Sequence, residues 1–422
     1  MRVLLTSHGS TGDIYPLIGY GKALAVAGHA VRYATAPLYQ EAIESAGLEF
    51  RRVPPDWEVE IFAEFMRELS RIRLPVLQLR HIYAGAVPFM NELIEIMEQE
   101  ITWCDVLVGS YFFPHYRFLA ERQNKPFVSF AFCHNLVPNR AYPPEMIPRL
   151  RGLPQSCQEW WNWSCWRLGN ALVDWTVNSV CGRIFSHHDL PPCRDFILNP
   201  AALSLIAVSP ALMQRHENPP GFEFCGYLRW QSPADPKQAA RLEAFCQGKK
   251  VPVLTFGSVT FDETHEVMSR FLKSWSGRKK IIIQSGWAGL SVELARKEIL
   301  VVPPMSHDQL FQFASMVIHH GGAGTTASVL HAGVPHIVVP HIADQNWWAD
   351  EILRLQVGIR LSQQKWPEKL DSAVAKIENS PPYHQRAIEL AKLLAKEDGR
   401  QRSVDLLEQF CERVASESCI RD

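Results

Sequence analysis

The stretch His319-His320-Gly321-Gly322-Ala323-Gly324-Thr325-Thr326 stands between an apolar run, Met316 to His320, and a segment of helical spacing, Thr325 to Ala332. Buried strand, glycine loop and helix, in that order, form the repeating unit of a parallel, doubly wound sheet. Glycines have no Cβ, so a ligand can approach the backbone, and the unpaired N–H groups and positive dipole end of the following helix favour an anion there. A diphosphate fits that description, and His320 adds a further donor. Two other readings share these residues. Glycine also serves a tight strand-to-helix turn through its dihedral freedom alone. In addition, Gly322-Ala323-Gly324-Thr325-Thr326-Ala327 satisfies the loose dinucleotide pattern G-x-G-x-x-A, with Asp344 twenty residues beyond Gly324. That pattern makes an NAD-dependent oxidoreductase the alternative enzyme class.

The same grammar extends outward. In the second half, strands are expected at Val251 to Phe256, Lys280 to Gln284, Leu300 to Val302 and His336 to Val339, with a helix over Glu263 to Trp275. In the first half, the strand Val3 to Thr6 ends in Ser7-His8-Gly9-Ser10-Thr11-Gly12-Asp13, and Pro16 suits the first position of a helix. Strands follow at Val31 to Thr35, Glu49 to Val53, Asp105 to Gly109, Pro126 to Ala131 and Leu203 to Ser209. Between 135 and 200 the pattern loosens into Pro-rich turns and an aromatic segment. Residues 211–247, rich in proline and glycine, suit a linker without regular elements. The expected fold is therefore α/β: a Rossmann-like domain over 1–210, a linker over 211–247, a second Rossmann-like domain over 248–400, and a helix and tail over 401–422 that packs back on the first domain.

Composition narrows the function. A chain of 422 residues exceeds one ordinary core, which stops growing near ~250–300 residues. Lysine plus arginine number 43 against 44 acids, a net charge of -1, which argues against nucleic acid as the main partner. With 47% hydrophobic and 21% charged residues the chain is globular, not disordered. The 10 cysteines include no Cys-x-x-Cys pair, as expected of reduced thiols in a cytoplasmic protein. No signal-peptide core and no membrane span is visible, so a soluble protein is expected, with attachment to a membrane surface left open.

Three further groups carry chemistry. Pro340-His341-Ile342-Ala343-Asp344-Gln345 follows a strand, and a carboxylate beside an amide suits adjacent sugar hydroxyls; a polar helix cap is the plain alternative. Thr255-Phe256-Gly257-Ser258 adds hydroxyls and backbone donors at the same sheet edge. Asp13 would repel a pyrophosphate, but it can take a proton from a hydroxyl as general base; equally, an Asp here caps the helix that follows. His8 is the lesser candidate. Finally, Trp160-Trp161-Asn162-Trp163-Ser164-Cys165-Trp166 places four tryptophans in seven residues, suited to an apolar acceptor pocket, a membrane interface or plain core.

Gly9-Ser-Thr-Gly-Asp-Ile-Tyr-Pro16, Ser306-His-Asp-Gln-Leu-Phe311, His319-His-Gly-Gly-Ala-Gly-Thr325 and Asp344-Gln345 occur in the order found in glycosyltransferase family 1. The chain resembles its members of GT-B architecture: the bacterial antibiotic glycosyltransferases, the sterol glucosyltransferases and the rhamnosyltransferase chain of rhamnolipid synthesis. The resemblance implies two tandem Rossmann-like domains with a cleft between them, the acceptor on the first and the nucleotide sugar on the second. It implies an inverting transfer without a metal, in keeping with the lack of an Asp-x-Asp motif. Asp13 matches the catalytic base of the bacterial members. Ser258, His320, Gly322, Ala323, Gly324 and Thr325 match the diphosphate contacts, and Asp344 and Gln345 the sugar contacts. Pro304 replaces the tryptophan that stacks on the nucleobase in plant members, which leaves Trp287, Met305 and His307 as candidates around the base. Ser110 replaces the plant members' acid. A hydrophobic, hydroxyl-bearing acceptor is expected against Gly12, Ser110, Tyr111, Phe112, Trp160 and Trp163, with UDP-glucose favoured as donor and dTDP-rhamnose or another dTDP-sugar second.

Overall fold

The computed structural model describes residues 1–421 apart from 73, 145, 146, 149, 151, 214–218, 231–233, 258–263, 276–278, 287–296 and 343, and only the backbone of 264, 265 and 418–421. The chain divides into two compact units. The first comprises Met1–Val59, Ile72–Trp230 and Asp398–Asp422, the second Glu60–Arg71 and Gln231–Glu397.

The first unit is built on seven parallel strands: β1 (Arg2–Thr6), β2 (Ala30–Thr35), β3 (Glu49–Arg52), β4 (Val106–Ser110), β5 (Phe127–Ala131), β6 (Leu203–Ile206) and β7 (Phe222–Phe224), in the order β3-β2-β1-β4-β5-β6-β7. β4 and β5 are buried at every position, as continuous apolar runs require in a sheet covered on both faces. The second unit has six parallel strands: β8 (Val251–Thr255), β9 (Ile281–Gln284), β10 (Ile299–Val302), β11 (Ala314–His319), β12 (His336–Val338) and β13 (Gly358–Arg360), in the order β10-β9-β8-β11-β12-β13. Each sheet starts in its middle, winds to one edge, then returns to wind to the other. The return leaves a crevice at the carboxyl ends of β1 and β4 in the first sheet, and of β8 and β11 in the second.

Several sequence expectations need correction. The first helix runs Thr11–Val26 with Ser10 as its N-cap, so Pro16 lies inside it. The side chain and backbone of Ser10 fix the start five residues earlier than proline suggested, and Pro16 leaves the Gly12 carbonyl without its helical N–H. The segment 211–247 is not free of regular structure. Phe222–Phe224 adds the edge strand β7, and Asp235 accepts from Lys237 and Gln238 N–H groups to cap the helix Pro236–Cys246. Gln155–His187 is one helix of 33 residues. Its apolar side chains encircle it instead of forming a single stripe, which hid it. The closing helix expected over 401–422 starts earlier, as Gly399–Arg421, with Asp398 accepting from the N–H groups of Arg400 and Gln401, and a separate helix, Pro381–Leu394, precedes it.

The last helix belongs to the first unit. Val404, Leu407 and Phe410 join a core shared with β1, β4, β5 and the helix Thr11–Val26, Tyr20 Oη donates to the Ser403 carbonyl at 3.3 Å, and Arg402 Nε donates to the Phe224 carbonyl at 3.0 Å. The nine cysteines whose side chains are described are all unpaired. Among the described residues no helix is long and apolar enough to cross a membrane.

Gly399 tests the docking of that last helix. A Cβ there would lie 2.6 Å from the Gly226 carbonyl carbon and 2.7 Å from the Tyr227 oxygen, whereas one at Gly182, inside the long helix, meets nothing within 4 Å. Gly399→Ala is expected to destabilise the first unit by about 1–3 kcal/mol through overpacking. Gly182→Ala is expected to stabilise it by about 0.5–1 kcal/mol through helix propensity. Denaturant melts of the two variants against wild type give both signs.

Candidate active site

In the second unit the crevice between β8 and β11 is shaped by missing side chains. Gly257 follows β8 with a φ of +56°, and a Cβ at Gly286, beyond β9, would lie 2.1 Å from the Gly257 oxygen. Beyond β11 the His320 ring fills the space between Gly257 and Gly322. A Cβ at Gly257 would stand 3.3 Å from His320 Cε1, and one at Gly322 2.4 Å from His320 Nε2. Gly321, at φ +92°, turns the chain where a Cβ would meet Val338 Cγ1 at 2.8 Å and the Gln345 oxygen at 3.1 Å. The helix Ala323–Ala332 then begins with Gly322 as N-cap and, among the described residues, no side chain capping it. Its first N–H groups, on Ala323, Gly324 and Thr325, are thus left to a ligand. A Cβ on Gly324 meets nothing within 4 Å, so the space in front of this helix is open.

Neutral imidazoles surround the loop. Burial pushes His320 down to about 3, assisted by His341 and His307, and pushes His307 and His341 each to about 4. His320 Nδ1 is buried with no partner among the described residues, while Nε2 lies against Gly322. Gln345 is buried, and its Oε1 accepts from the His341 and Ile342 N–H groups at 2.8 and 3.1 Å. Its oxygen is therefore committed to the loop, and the amide N–H is the group it can offer a sugar. Asp344 is the N-cap residue of the helix Gln345–Arg354, makes no cap hydrogen bond, and accepts from Trp348 Nε1 at 3.1 Å. The plain-cap alternative is thus not what its side chain does. Thr255 donates to Gln284, and Gln284 to the Met305 carbonyl, tying together the tips of β8, β9 and the segment after β10. His307 starts the next helical turn, stacked on Phe311 at 4.7 Å. Ser258 and Trp287 lie outside the described residues.

In the first unit, Asp13 sits in the first turn of the helix Thr11–Val26, not at its cap. Its Oδ2 accepts from Ser10 N at 2.8 Å and from Ser10 Oγ at 3.1 Å, and Gly12 N donates to Ser10 Oγ. This is a capping box, with aspartate in place of glutamate. Burial raises the Asp13 carboxyl to about 6, against the opposing pull of the two Ser10 hydrogen bonds. His8 is turned inward: Nε2 bonds Tyr116 Oη, its ring packs on Phe113 and Tyr116, and burial holds it at about 4. Gly12 is exposed, whereas Ser110 is buried and accepts from Phe112 N. Tyr111 and Phe112 pack edge-on against Phe196. His8 thereby joins the loop after β1 to the segment after β4, but the tryptophans separate. Trp166 is core and donates to the Tyr142 carbonyl, Trp163 lies under Arg140 with 5.2 Å between Cζ and ring, and Trp160 is 68% exposed, too open for a pocket wall. Ser10 was missed in the sequence, although the Ser-x-x-Asp spacing signals it. The pairing of His319 with His336 was missed because only the sheet register brings them together.

Two family models match the chain: the glycosyltransferase family 28 N-terminal domain over residues 3–90 and the erythromycin biosynthesis protein CIII-like C-terminal domain over residues 296–408. Sterol 3-beta-glucosyltransferase UGT80B1 of Arabidopsis thaliana is 27% identical over 96% of this chain and 67% of its own length. Vancomycin aglycone glucosyltransferase of Amycolatopsis orientalis is 27% identical over 85% of each chain. Among solved structures, the glycosyltransferase VinC in complex with dTDP superposes with a TM-score of 0.67 at 18% identity, covering 98% of this chain and 100% of its own. That likeness is one of fold.

Ser10→Ala removes one of the two bonds that favour the Asp13 carboxylate and leaves the Gly12 N–H without its acceptor. The Asp13 midpoint is expected to move above 6, and the fold to lose about 1 kcal/mol, as for other lost N-caps. Carboxyl ¹³C shifts followed through a pH titration measure the first, a thermal melt the second.

Proposed function

We propose that this chain, a nucleotide-sugar-dependent glycosyltransferase of the GT-B architecture, moves a hexose from a nucleoside diphosphate sugar to a hydroxyl group of a hydrophobic small molecule or lipid, with inversion and without a metal ion. The observation that carries the reading is the uncapped helix start at Gly322–Thr325, open at Gly324 and flanked by the wedged, neutral His320. A diphosphate is the ligand such a start accepts, its charge met by the helix dipole and backbone N–H groups. Asp344 and the Gln345 amide are the readers of the sugar hydroxyls, and Met305 and His307 stand toward the nucleobase. Glucose is favoured because both relatives named above transfer glucose by name, and a dTDP-sugar is second because VinC was solved with dTDP. Sterol and aglycone acceptors in those names agree with aromatic Tyr111 and Phe112 on the segment that follows β4, the sheet neighbour of the strand β1 that leads to Asp13.

The step is a single displacement. The acceptor oxygen bonds to the anomeric carbon as Asp13 takes its proton, and the bond from that carbon to the diphosphate breaks, its electron pair leaving with the nucleoside diphosphate. A carboxyl with a midpoint of about 6 is ionised at neutral pH yet more basic than an ordinary aspartate, as a general base should be. The helix start at Gly324 and Thr325 stabilises the charge that grows on the leaving group.

The exposed face of the long helix suggests where a lipid acceptor is met. Trp160, Leu168 and Trp175 are 68%, 72% and 63% exposed, and Arg167 and Arg183 are exposed among them. No acidic residue is exposed between Trp160 and Arg183, and Asp174 turns inward to the N–H groups of Asp195 and Phe196. Tryptophan and arginine on an apolar helix face favour an anionic lipid surface. Vesicles of phosphatidylglycerol and phosphatidylcholine are expected to sediment the wild type but not Trp160→Glu/Trp175→Glu. Equal sedimentation, or dimerisation lost in the variant, would assign the face elsewhere.

Calorimetry without added metal, comparing UDP-glucose, dTDP-rhamnose and NADH, tests the donor. Gly324→Val should fold, given its open Cβ direction, and should abolish sugar-nucleotide binding. Asp13→Asn should bind donor as wild type and lose about 10²–10⁴-fold in turnover, the usual share of a general base. Binding of NADH alone would replace the reading with a dinucleotide site, and donor binding without transfer or hydrolysis on any acceptor would leave a binding protein.

A further inference from the structure

The donor loop is tied to the interior of its sheet by two histidines, His319 at the head of the glycine motif and His336 outside it. Gly321 N–H donates to His319 Nδ1 at 3.1 Å, and His319 Nε2 lies 3.0 Å from His336 Nδ1. The first bond settles the rest. A ring nitrogen that accepts carries no proton, so neutral His319 is protonated on Nε2, which donates to His336 Nδ1; His336 then carries its own proton on Nε2. Both rings are fully buried and held neutral by that burial, which pushes His336 down to about 3 and His319 well below the usual histidine range, with nearby His336, His320 and His307 adding to the effect on His319. The chain has one direction, from the loop inward.

The sheet makes room for it. Val317 is in register with His336 and His319 with Val338, so residues 317, 319, 336 and 338 share one face. Gly358 of β13 pairs with His336, and a Cβ there would lie 2.8 Å from His336 Cβ and 2.2 Å from its carbonyl oxygen. At the other end, Gly321 is the pivot between the two halves of the donor site: its neighbour Gly322 is the N-cap residue of the helix Ala323–Ala332, and its own Cα faces the Gln345 backbone.

We infer that His319 and His336 are positioning residues for the nucleotide sugar: by drawing the Gly321 N–H inward, they fix the diphosphate loop and its spacing from Gln345. The inference rests on the donor-site reading above, and the experiment separates the two. Asn and Leu share the same branched skeleton of four side-chain heavy atoms, but an Asn oxygen reproduces the Nδ1 acceptor of His336, whereas Leu, the closer to His in volume, leaves the His319 N–H facing carbon. His336→Leu is expected to weaken the binding of UDP and dTDP and to raise the KM for the sugar nucleotide, each roughly tenfold, with kcat changed less. His336→Asn is expected to stay within about threefold of wild type in both, a rescue that packing alone would not give. Equal losses in the two variants would reduce His336 to a packing residue and overturn the inference. If wild type itself bound neither nucleotide, the donor reading would fail first. A test independent of any ligand is the ¹H–¹⁵N histidine spectrum of wild type. His319 and His336 should both show the Nε2–H tautomer, unchanged from pH 5.5 to 8, and an Nδ1–H signal for His319 would overturn the relay outright.

Discussion

Backbone must approach backbone at the carboxyl edge of the second sheet, and most of what this chain offers a ligand follows from that constraint. The Gly286 Cα stands so near the Gly257 carbonyl that any side chain would collide with it, and the His320 ring occupies the room freed at Gly257 and Gly322. The glycines are therefore not interchangeable punctuation. Those at 286 and 322 are absences of volume filled by a neighbour, those at 257 and 321 combine such an absence with a positive φ, and of these five Gly324 alone is an absence left open. A side chain at 324 is thus tolerated by the fold and opposed only by what binds in front of the helix.

The two strand-loop-helix units use the same geometry to opposite ends. Ser10 and Asp13 satisfy the start of the helix Thr11–Val26 internally, so that terminus has no call for an anion and holds a carboxylate of its own. Burial costs that carboxylate: it keeps its proton to about 6, where an unfolded aspartate releases it near ~4. Between those values the folded chain binds the more protons, so this one group lowers stability as pH rises through the window and remains unfavourable above it. A carboxylate placed against its own stability is a mark of a functional position. The helix Ala323–Ala332 has the reverse arrangement, with no acid in its first turn and no capping side chain among the described residues.

Both crevices were legible in the sequence because each depends on local signals: a buried strand such as Val106–Ser110, a glycine turn, and a helix start. What the sequence concealed depended on contacts across the chain. Proline at 16 was read as a helix start because its own preference is local, whereas the capping box that overrode it needed Ser10 and Asp13 to be paired. Phe222–Phe224 is too short to show alternation and is a strand only because β6 offers it a partner. The tryptophans of 160–166 share one helix, but Trp166 is core and Trp160 is solvent-facing, a difference set by Arg140 and Tyr142, whose carbonyls accept from Asn162 and Trp166 on one side. His319 and His336 lie seventeen residues apart with nothing in between to link them; parallel register makes them neighbours.

Between Lys297 and Arg354 the sequence has no lysine or arginine, yet it holds six histidines, and His307, His319, His320, His336 and His341 are all kept neutral by burial. A cation placed in that loop would stand desolvated and unpaired whenever the site was empty, at a cost of several kcal/mol. Neutral N–H groups and a helix dipole avoid that cost, because they are already oriented by hydrogen bonds such as that from Gly321 to His319. Their attraction for a diphosphate is weaker than an ion pair but directional, and less sensitive to ionic strength than a site built on lysines. On the proposed reading, such a cradle would stabilise the charge that develops as a diphosphate departs without holding the product by a full counter-charge, so the same groups would serve binding, displacement and release.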